Sequence, residues 1–269
     1  MGGARRIWVM LGFVVFGLWL FAGGVRAEEA KPSADFTVDV LSQYVWRGFG
    51  LSDDSVVIQP SMTVSYLGAY VNLWGNYDTD RNNEHDPSLD GSDWNETDFT
   101  FGYTYDKLPY GMSLDVGGIY YALDGSDDSF ELFAGLSATC PKTGINFGLT
   151  IYRELSHYPG TWYELSAGRD FELPWHKATL SLSASAMYLD SDDEGAYHDP
   201  DDPNDEFSGW LYLQLGAEAS IPFGQYFTVT PKVYYSFSLS DDADDLLEDG
   251  SWDNHHDHFF GGVSVSFSF

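Results

Sequence analysis

The last eleven residues of the chain, 259–269, read FFGGVSVSFSF. Alternate positions near the end are apolar, at Val263, Val265, Phe267 and Phe269, and the positions between them are serine. A period of two predicts a β-strand with one apolar and one polar face. In a soluble sandwich the polar face would meet water. In an outer-membrane barrel the apolar face meets lipid and the polar face lines the lumen.

The same alternation recurs through residues 28–269, which divide into about twelve segments, the first of them at about residues 35–46. The clearest segment alternates its apolar residues with mostly serine, at Leu180, Leu182, Ala184, Ala186 and Tyr188. Every second connection is short, whereas the connections between them include long acidic stretches at residues 78–94, 190–207 and 240–258. Outer-membrane barrels sort their connections in this way and have an even number of strands. The sequence therefore predicts an all-β fold, a transmembrane antiparallel up-and-down β-barrel of about 12 strands, with short periplasmic turns and long acidic extracellular loops.

The first residues have the features of a secretory leader. Arg5 and Arg6 precede an apolar stretch at residues 7–22, and Val25-Arg26-Ala27 has the small-residue pattern of a cleavage site. The alternative is an uncleaved membrane anchor, but the apolar stretch is short for a spanning helix of about 20 residues. We therefore predict a cleaved signal peptide at residues 1–27 and an outer-membrane barrel at residues 28–269.

The composition excludes several classes of protein. A formal net charge of −30 argues against nucleic acid as a partner. Acidity of this size also occurs in disordered chains, but here 17% of the residues are aromatic, which disordered acidic tails lack. The lone Cys140 excludes an intrachain disulfide and a site built from several cysteines. Aromatic residues are instead typical of the girdles that flank the apolar band of a membrane barrel.

A short region near the start of the predicted barrel resembles a known family. Residues 42–48 read SQYVWRG, and they are followed by Gln59, by Gly68-Ala69-Tyr70 and by Trp74. These positions resemble the opening of the TorF-type proteobacterial putative porin family, which begins S-x-Y-x-x-R-G and continues with a Gln and then G-x-Y-x-x-x-W. The sequence departs from that pattern around residues 59–61. The resemblance implies an outer-membrane barrel of porin type and supplies no substrate.

If the apolar faces point to lipid, the residues of opposite parity line the lumen. The charged candidates for lining and selectivity are Asp39, Arg47, Asp98, Asp115, Glu131, Glu164, Glu218 and Lys232. A lumen rich in carboxylates favours cations, since rings of charge set pore selectivity. The same groups could instead pair with one another across a narrow, plugged interior. Arg47 could overhang the pore mouth or anchor a loop through an ion pair.

Aromatic residues also occupy alternate strand positions that are predicted to face the lumen. The candidates are Tyr70, Trp74, Tyr121, Phe133, Tyr152, Trp162, Trp210, Tyr212 and Tyr234. Rings along a channel could guide sugars or nucleosides by stacking. They could equally fill space, because side chains nearly close the lumen of a small barrel.

The acidic loops contain weak candidates for metal binding. Their residues are Asp190, Asp192 and Glu194 in one loop and His255, His256 and His258 in the last loop. The first group only partly matches a calcium loop, and the histidines need loop geometry to share one ion. The alternative is a solvated polar loop, and we predict no tightly bound cofactor beyond weak divalent cations at these loops.

These observations lead to one functional prediction and its rivals. We predict a porin-like channel for passive diffusion of small hydrophilic solutes that prefers cations, in the outer membrane of a Gram-negative bacterium. The alternative is a closed structural barrel, or one that binds or adheres through its loops. An enzyme is disfavoured because the sequence lacks a G-x-S-x-G elbow and its only adjacent Ser/His pair is Ser156-His157. The expected partners are lipids, lipopolysaccharide and the barrel-insertion machinery, which would read Phe267 and Phe269.

Overall fold

The structure is a computed structural model that describes residues 31–53, 55–81 and 91–269. The predicted signal peptide at residues 1–27 lies outside the described residues. Twelve long strands form the barrel: β1 (Ser33–Leu41), β4 (Val57–Tyr66), β5 (Ala69–Arg81), β6 (Gly91–Tyr105), β7 (Met112–Leu123), β8 (Ser129–Thr139), β9 (Asn146–Glu154), β10 (Gly160–Glu172), β11 (Thr179–Ser191), β14 (Ser208–Phe223), β15 (Phe227–Ser238) and β16 (His258–Ser268).

The remaining described elements lie in the connections. They are two short hairpins, β2 (Val45–Trp46) with β3 (Phe49–Gly50) and β12 (His198–Asp199) with β13 (Asp202–Glu206), a 3₁₀ turn at Pro109–Gly111, and the helix α1 (Asp241–Gly250). Among the described residues no helix has the length and apolar character needed to cross a membrane.

The barrel closes between its first and last strands. β1 pairs antiparallel with β16, where Phe36 lies opposite Phe267, and also with β4. Every other barrel strand pairs antiparallel with its neighbour in sequence. Closure leaves no free edge, so the backbone groups of each strand are satisfied within the sheet, which a lipid environment demands. The prediction of a twelve-stranded antiparallel barrel is confirmed.

The outer face of the barrel is apolar and lies open. Large side chains at mid-strand positions remain 43–48% exposed, including Met62, Leu73, Phe101, Leu132, Leu136, Leu165, Leu182, Leu215 and Val265. Their neighbours in sequence point inward and are mostly serine, threonine, glycine or charged residues. A continuous exposed apolar belt of this kind is the surface that a membrane barrel presents to lipid.

The two ends of the barrel differ in their connections. One end, which we call the turn end, has short connections such as the two-residue turn Leu67-Gly68 and the 3₁₀ turn at Pro109–Gly111. Leu67 and Gly68 both have positive φ angles, of 54° and 88°, as a hairpin turn of this length requires. The opposite end, the loop end, carries the hairpins β2–β3 and β12–β13 and the helix α1. β1 begins and β16 ends at the turn end.

Two predicted boundaries are wrong. The first strand was expected at residues 35–46, but β1 ends at Leu41, and Val45–Trp46 belongs to the separate hairpin β2–β3. The loop expected at residues 78–94 is shorter, because β5 continues to Arg81 and β6 begins at Gly91. Residues 82–90 lie outside the described residues.

The predicted inward position of Trp210 is also wrong. A bulge in β14 places Tyr212 opposite Met187 and Trp210 opposite Tyr188, so Leu211 is an extra residue in the ladder. A bulge sets two residues against one and shifts the inward–outward alternation by one position. Trp210 therefore lies outside, 43% exposed, and Leu211 is fully buried in the interior.

The orientation of side chains in the barrel wall predicts a large effect at one residue and a small effect at its neighbour. Leu165 lies at the middle of β10 on the outer face, and Ser166 lies beside it on the inner face. Leu165→Arg is expected to lower the free energy of unfolding by about 2–4 kcal/mol in lipid, since arginine on the lipid face is costly at mid-depth. Ser166→Arg, the matched control, should cost far less. Denaturant titration in lipid vesicles measures both, and equal losses would contradict this orientation.

Candidate functional site

The interior of the barrel carries charged residues whose partners are mostly tyrosine hydroxyls. Tyr70 donates to Asp115 at 2.9 Å and Tyr121 donates to Glu131 at 2.9 Å. Two further pairs follow the same pattern, Tyr152 with Glu164 at 3.2 Å and Tyr234 with Glu218. A hydroxyl satisfies a carboxylate oxygen by hydrogen bonding but does not cancel its charge. The lumen wall therefore keeps an excess of negative charge.

The remaining charged candidates lie on the same wall. Lys232 on β15 reaches past β16 to Asp39 on β1, and its Nζ lies 2.9 Å from the carboxylate. Asp98 on β6 is half-buried and lies opposite Trp74 on one side and Tyr121 on the other. Most of the aromatic candidates also face inward. They are Tyr70, Trp74, Tyr121, Phe133, Tyr152, Trp162, Tyr212 and Tyr234. The ring centres of Phe133 and Tyr152 lie 6.1 Å apart.

A hairpin from the first loop is inserted into the loop end of the lumen. We call residues 45–50, which form β2 and β3, the inserted hairpin. Its two turn residues are Arg47, with φ of 49°, and Gly48, with φ of 90°, so the turn has the left-handed geometry of the tightest hairpins. A Cβ on Gly48 would lie 3.0 Å from side-chain atoms of both Leu247 and Tyr212. Glycine therefore allows the hairpin tip to fit between the barrel wall and α1.

Arg47, at the tip of the inserted hairpin, is held by a carboxylate and by aromatic rings. Its Nη1 and Nη2 atoms each lie 2.7 Å from one oxygen of Glu131, and the two side chains are only 7% and 2% exposed. The guanidinium carbon lies 4.6 Å from the ring centres of Trp46 and Tyr152 and 4.7 Å from that of Trp162. Bidentate pairing and contact with ring faces are the strongest ways in which proteins hold a guanidinium.

An apolar cluster at the mouth lies beside this ion pair. We call it the mouth cluster, and its fully or nearly fully buried members are Phe49, Trp162, Met187, Leu189, Phe207, Leu211, Tyr212, Ala243, Leu246 and Leu247. The last three come from α1, whose apolar residues at i, i+3 and i+4 share one face. Ser240 caps this helix by accepting a hydrogen bond from the Ala243 amide at 3.1 Å. The helix thus lays its apolar side on the barrel mouth and its acidic side toward solvent.

The first and last loops are fastened to each other above the lumen. The Trp252 amide donates to the Gly50 carbonyl at 2.7 Å, and Ser251 Oγ accepts from the Gly50 amide at 2.9 Å. Asp253 accepts from Gln43 and lies 3.2 Å from the His258 ring. Burial opposes the charged form of Asp253, but these hydrogen bonds outweigh it and hold the pKa of Asp253 below its usual value. The inserted hairpin and α1 therefore form one closing unit.

Two cavities lie on either side of the Arg47–Glu131 pair. The outer cavity, of about 470 Å³, opens between the loops and is lined by Trp46, Tyr121, Glu131, Trp162, Tyr197 and Glu96, among others. The inner cavity, of about 360 Å³, lies in the lumen toward the turn end and is lined by Tyr70, Asp115, Phe133 and Tyr152. Glu131 and Phe133 are consecutive inward positions of β8. Arg47 contacts the linings of both cavities and so lies at the boundary between them.

The candidate metal ligands are not gathered into one site. Asp190 accepts from Ser208, Asp192 pairs with Arg153, and Glu194 is exposed. His255 contacts the Asp253 carbonyl, His256 lies 3.5 Å from Glu248, and His258 pairs with Asp253. In the ranges that the structure describes, no group of three or more His, Cys, Asp or Glu side chains is arranged to hold a metal ion.

The adjacent Ser156 and His157 do not form a catalytic pair. Ser156 Oγ donates to Glu154 at 2.7 Å, while the His157 ring lies against the Asp128 carbonyl at 2.8 Å. Glu154 also accepts from the backbone amides of residues 156–158, so it holds this tight connection together.

Sequence reasoning missed three contributors to the interior. They are Tyr44, Glu96 and Asp253. Glu96 is 7% exposed and accepts a hydrogen bond from the Tyr44 hydroxyl at 3.0 Å. Asp253 joins the first and last loops by accepting a hydrogen bond from Gln43. Glu96 lies two positions before Asp98 on β6, so the parity that selected Asp98 also selects Glu96. Tyr44 and Asp253 lie in loops, where no periodic pattern indicates which way a side chain points.

Comparisons with known proteins agree with the fold. Residues 27–132 match a family described as a bacterial protein of unknown function (Gcw_chp). No curated protein matches the chain. The KdgM porin is 10% identical with a TM-score of 0.51, over 88% of this chain and 99% of that chain. The NanC porin is 10% identical with a TM-score of 0.54, over 87% and 98%.

A third solved structure gives the same result. The COG4313 outer membrane channel from Pseudomonas putida F1 is 8% identical with a TM-score of 0.53, over 92% of this chain and 98% of that chain. At these identities the likeness concerns the fold and nothing finer. The resemblance to the TorF-type family stays a prediction, since the matched family is described without a function. The chain is thus similar in fold to outer-membrane porins and channels, and part of it resembles the Gcw_chp family.

Proposed function

We propose that the protein is an outer-membrane channel for small hydrophilic solutes that prefers cations. The observation that carries this proposal is a closed barrel with an apolar outer belt and a polar interior in which carboxylates outnumber basic groups. The similarity in fold to porins and channels supports it. The loop end would face outward and the turn end the periplasm, as in barrels of this architecture.

The preference for cations follows from the balance of charge in the lumen. Both basic candidates are already paired, Arg47 with Glu131 and Lys232 with Asp39. Among the described residues, Asp115, Glu164 and Glu218 lie within ion-pairing distance of no lysine or arginine. Unneutralised charge on a narrow, low-dielectric wall attracts ions of opposite sign and repels ions of like sign.

The loops also set a condition for transport. The inserted hairpin and α1 cover the loop end of the lumen in this structure, so solute passage requires them to move. The barrel wall does not need to change, because the inserted hairpin and α1 both lie in loops rather than in barrel strands. We propose that the channel alternates between a closed and an open arrangement of these two loops.

Current through single channels tests the proposal directly. Purified protein in a planar lipid bilayer with a KCl gradient is expected to show intermittent openings and a reversal potential of the sign given by K⁺ selectivity. Raising the salt to about 1 M should weaken that selectivity, since the Debye length falls to about 3 Å. Openings that are selective for Cl⁻ would support the proposal of a channel but refute the proposal that its lumen is negatively charged.

The rival proposal is a closed barrel that acts through its loops, and the mouth cluster favours it. A folded barrel that never passes current, even when the mouth cluster is disrupted, would support that rival and refute the channel. We further propose that Phe267 and Phe269 are the residues read by the insertion machinery, with Phe269 72% exposed at the end of β16. Lipids and lipopolysaccharide would surround the apolar belt, with divalent cations bound weakly at the acidic loops.

A further inference from the structure

We propose that the pocket holding Arg47 is a binding site for the guanidinium or alkylammonium group of a cationic solute, and that Arg47 occupies it as an internal competitor. This inference rests on the proposed channel and names the class of solute that opens it. The juxtaposition that carries it is a buried carboxylate surrounded by ring faces, at the boundary between the two cavities.

Most of the groups that hold Arg47 belong to the barrel wall. Tyr121, Glu131, Tyr152 and Trp162 come from four consecutive strands, β7 to β10, and we call these four residues the cation pocket. Trp162 lies directly opposite Tyr152 in the ladder, and Tyr152 lies opposite Phe133, which is next to Glu131 on the inner face. Arg47 and Trp46 belong to the inserted hairpin. When the hairpin withdraws, the cation pocket stays in place.

The cation pocket is selective for a positive group by its chemistry. With the hairpin in place, Glu131 is 2% exposed and Trp162 is 1% exposed, so a carboxylate left without a cation in this closed arrangement would be poorly solvated. A buried charge needs a partner, and a neutral solute such as a sugar supplies none. A planar guanidinium fits two carboxylate oxygens at once and stacks on aromatic faces, as Arg47 demonstrates with this same pocket. Alkylammonium groups also pair with a carboxylate and lie on aromatic faces, but they lack the planar geometry that makes the guanidinium contact specific.

The outer cavity gives such a solute a route to the pocket. Three of the four pocket residues, Tyr121, Glu131 and Trp162, also line the outer cavity, whose volume of about 470 Å³ lies in the range of small-molecule sites. The surrounding loops are acidic and would concentrate cations at this entrance. Arrival of a solute cation therefore replaces one partner of Glu131 by another. The exchange releases the hairpin without leaving Glu131 unpaired, which couples binding to opening.

Binding of Nα-acetylated argininamide tests the inference, with Nα-acetylated citrullinamide as the neutral control; both are called by their parent names below. Acetylation removes the α-ammonium group from both amides, and citrulline carries a urea group in place of the guanidinium. Arg47→Ala removes the competitor, so argininamide should bind this variant at least about tenfold more tightly than the wild type. Citrullinamide should bind neither protein measurably. Calorimetry on the intact detergent-solubilised barrel measures both. Equal affinity of Arg47→Ala for the two amides, or no gain over the wild type, would overturn the inference.

Two further variants separate this site from misfolding. Glu131→Gln and the double variant Arg47→Ala/Glu131→Gln should both lose argininamide binding while they keep the heat-modifiable gel mobility of a folded barrel. Retained binding in the folded double variant would overturn the assignment of Glu131. If Arg47→Ala itself loses that mobility, Arg47→Lys supplies the comparison, and it should bind argininamide more tightly than the wild type because lysine lacks the bidentate fork.

The channel and the cation site fail in different ways. Binding is measured without a membrane, so a barrel that binds argininamide but never conducts would refute the channel and support the site. A barrel that conducts KCl but whose Arg47→Ala variant does not distinguish the two amides would support the channel and refute the site.

Discussion

Leu247→Asp is expected to convert a mostly closed channel into a mostly open one. Leu247 is fully buried in the mouth cluster and borders the tip of the inserted hairpin at Gly48. A carboxylate there loses the apolar contacts and adds the cost of burying a charge, so α1 should detach from the barrel wall. A loss on the order of 3 kcal/mol would raise the open-to-closed ratio by about 100-fold. Open probability in a planar bilayer measures this ratio.

The matched control lies on the opposite side of the same helix. Asp245 is exposed, and Asp245→Asn alters the charge of α1 without touching the mouth cluster. This control should gate like the wild type. The barrel of Leu247→Asp should remain intact, since Leu247 belongs to α1, in the last loop, and not to a barrel strand. An intact barrel with unchanged open probability would show that α1 does not close the lumen.

The second large effect is expected on ion selectivity. The triple variant Asp115→Asn, Glu164→Gln and Glu218→Gln removes three inward charges, yet each amide oxygen can still accept from its tyrosine. The K⁺ over Cl⁻ permeability ratio is expected to fall on the order of fivefold. That change corresponds to about 1 kcal/mol, the size of a single charge–charge interaction at close range in water. Reversal potentials in a KCl gradient measure the ratio.

Three acids in the β12–β13 hairpin provide the control for this charge change. Asp202, Asp205 and Glu206 are all exposed, so neutralising them removes the same formal charge from the loop surface. Solvent and salt screen charges at that position, and the permeability ratio should change little. A larger shift from these loop acids than from the lumen acids would place the selectivity of the channel in its loops.

The sequence predicted the barrel because strand alternation and the sorting of connections are local and repeated. Parity then selected Asp115, Glu131 and Glu164, which lie on the inner wall. The same alternation predicted the wrong side for Trp210, because the bulge at Leu211 adds one residue to β14. No residue pattern near Leu211 indicates the extra residue.

The closing unit was harder to predict, for two physical reasons. The pair Arg47–Glu131 joins residues 84 positions apart, and loop conformation carries no periodic signal. A partial signal did exist in the last loop, where Ala243, Leu246 and Leu247 have helical spacing within an acidic stretch. The acidity of that stretch suggested a solvated loop, whereas its apolar residues face the mouth cluster.

The position of the closing contacts along the chain has a consequence for biogenesis. Gly48 near the beginning of the barrel meets Tyr212 and then Leu247, which is followed by only the last strand, β16. Contacts between residues so far apart in the sequence form late, because the chain between them must first be ordered. Newly inserted barrels should therefore pass through a leaky stage before their mouths seal. A cell that makes this protein rapidly would experience that stage as a transient increase in outer-membrane permeability.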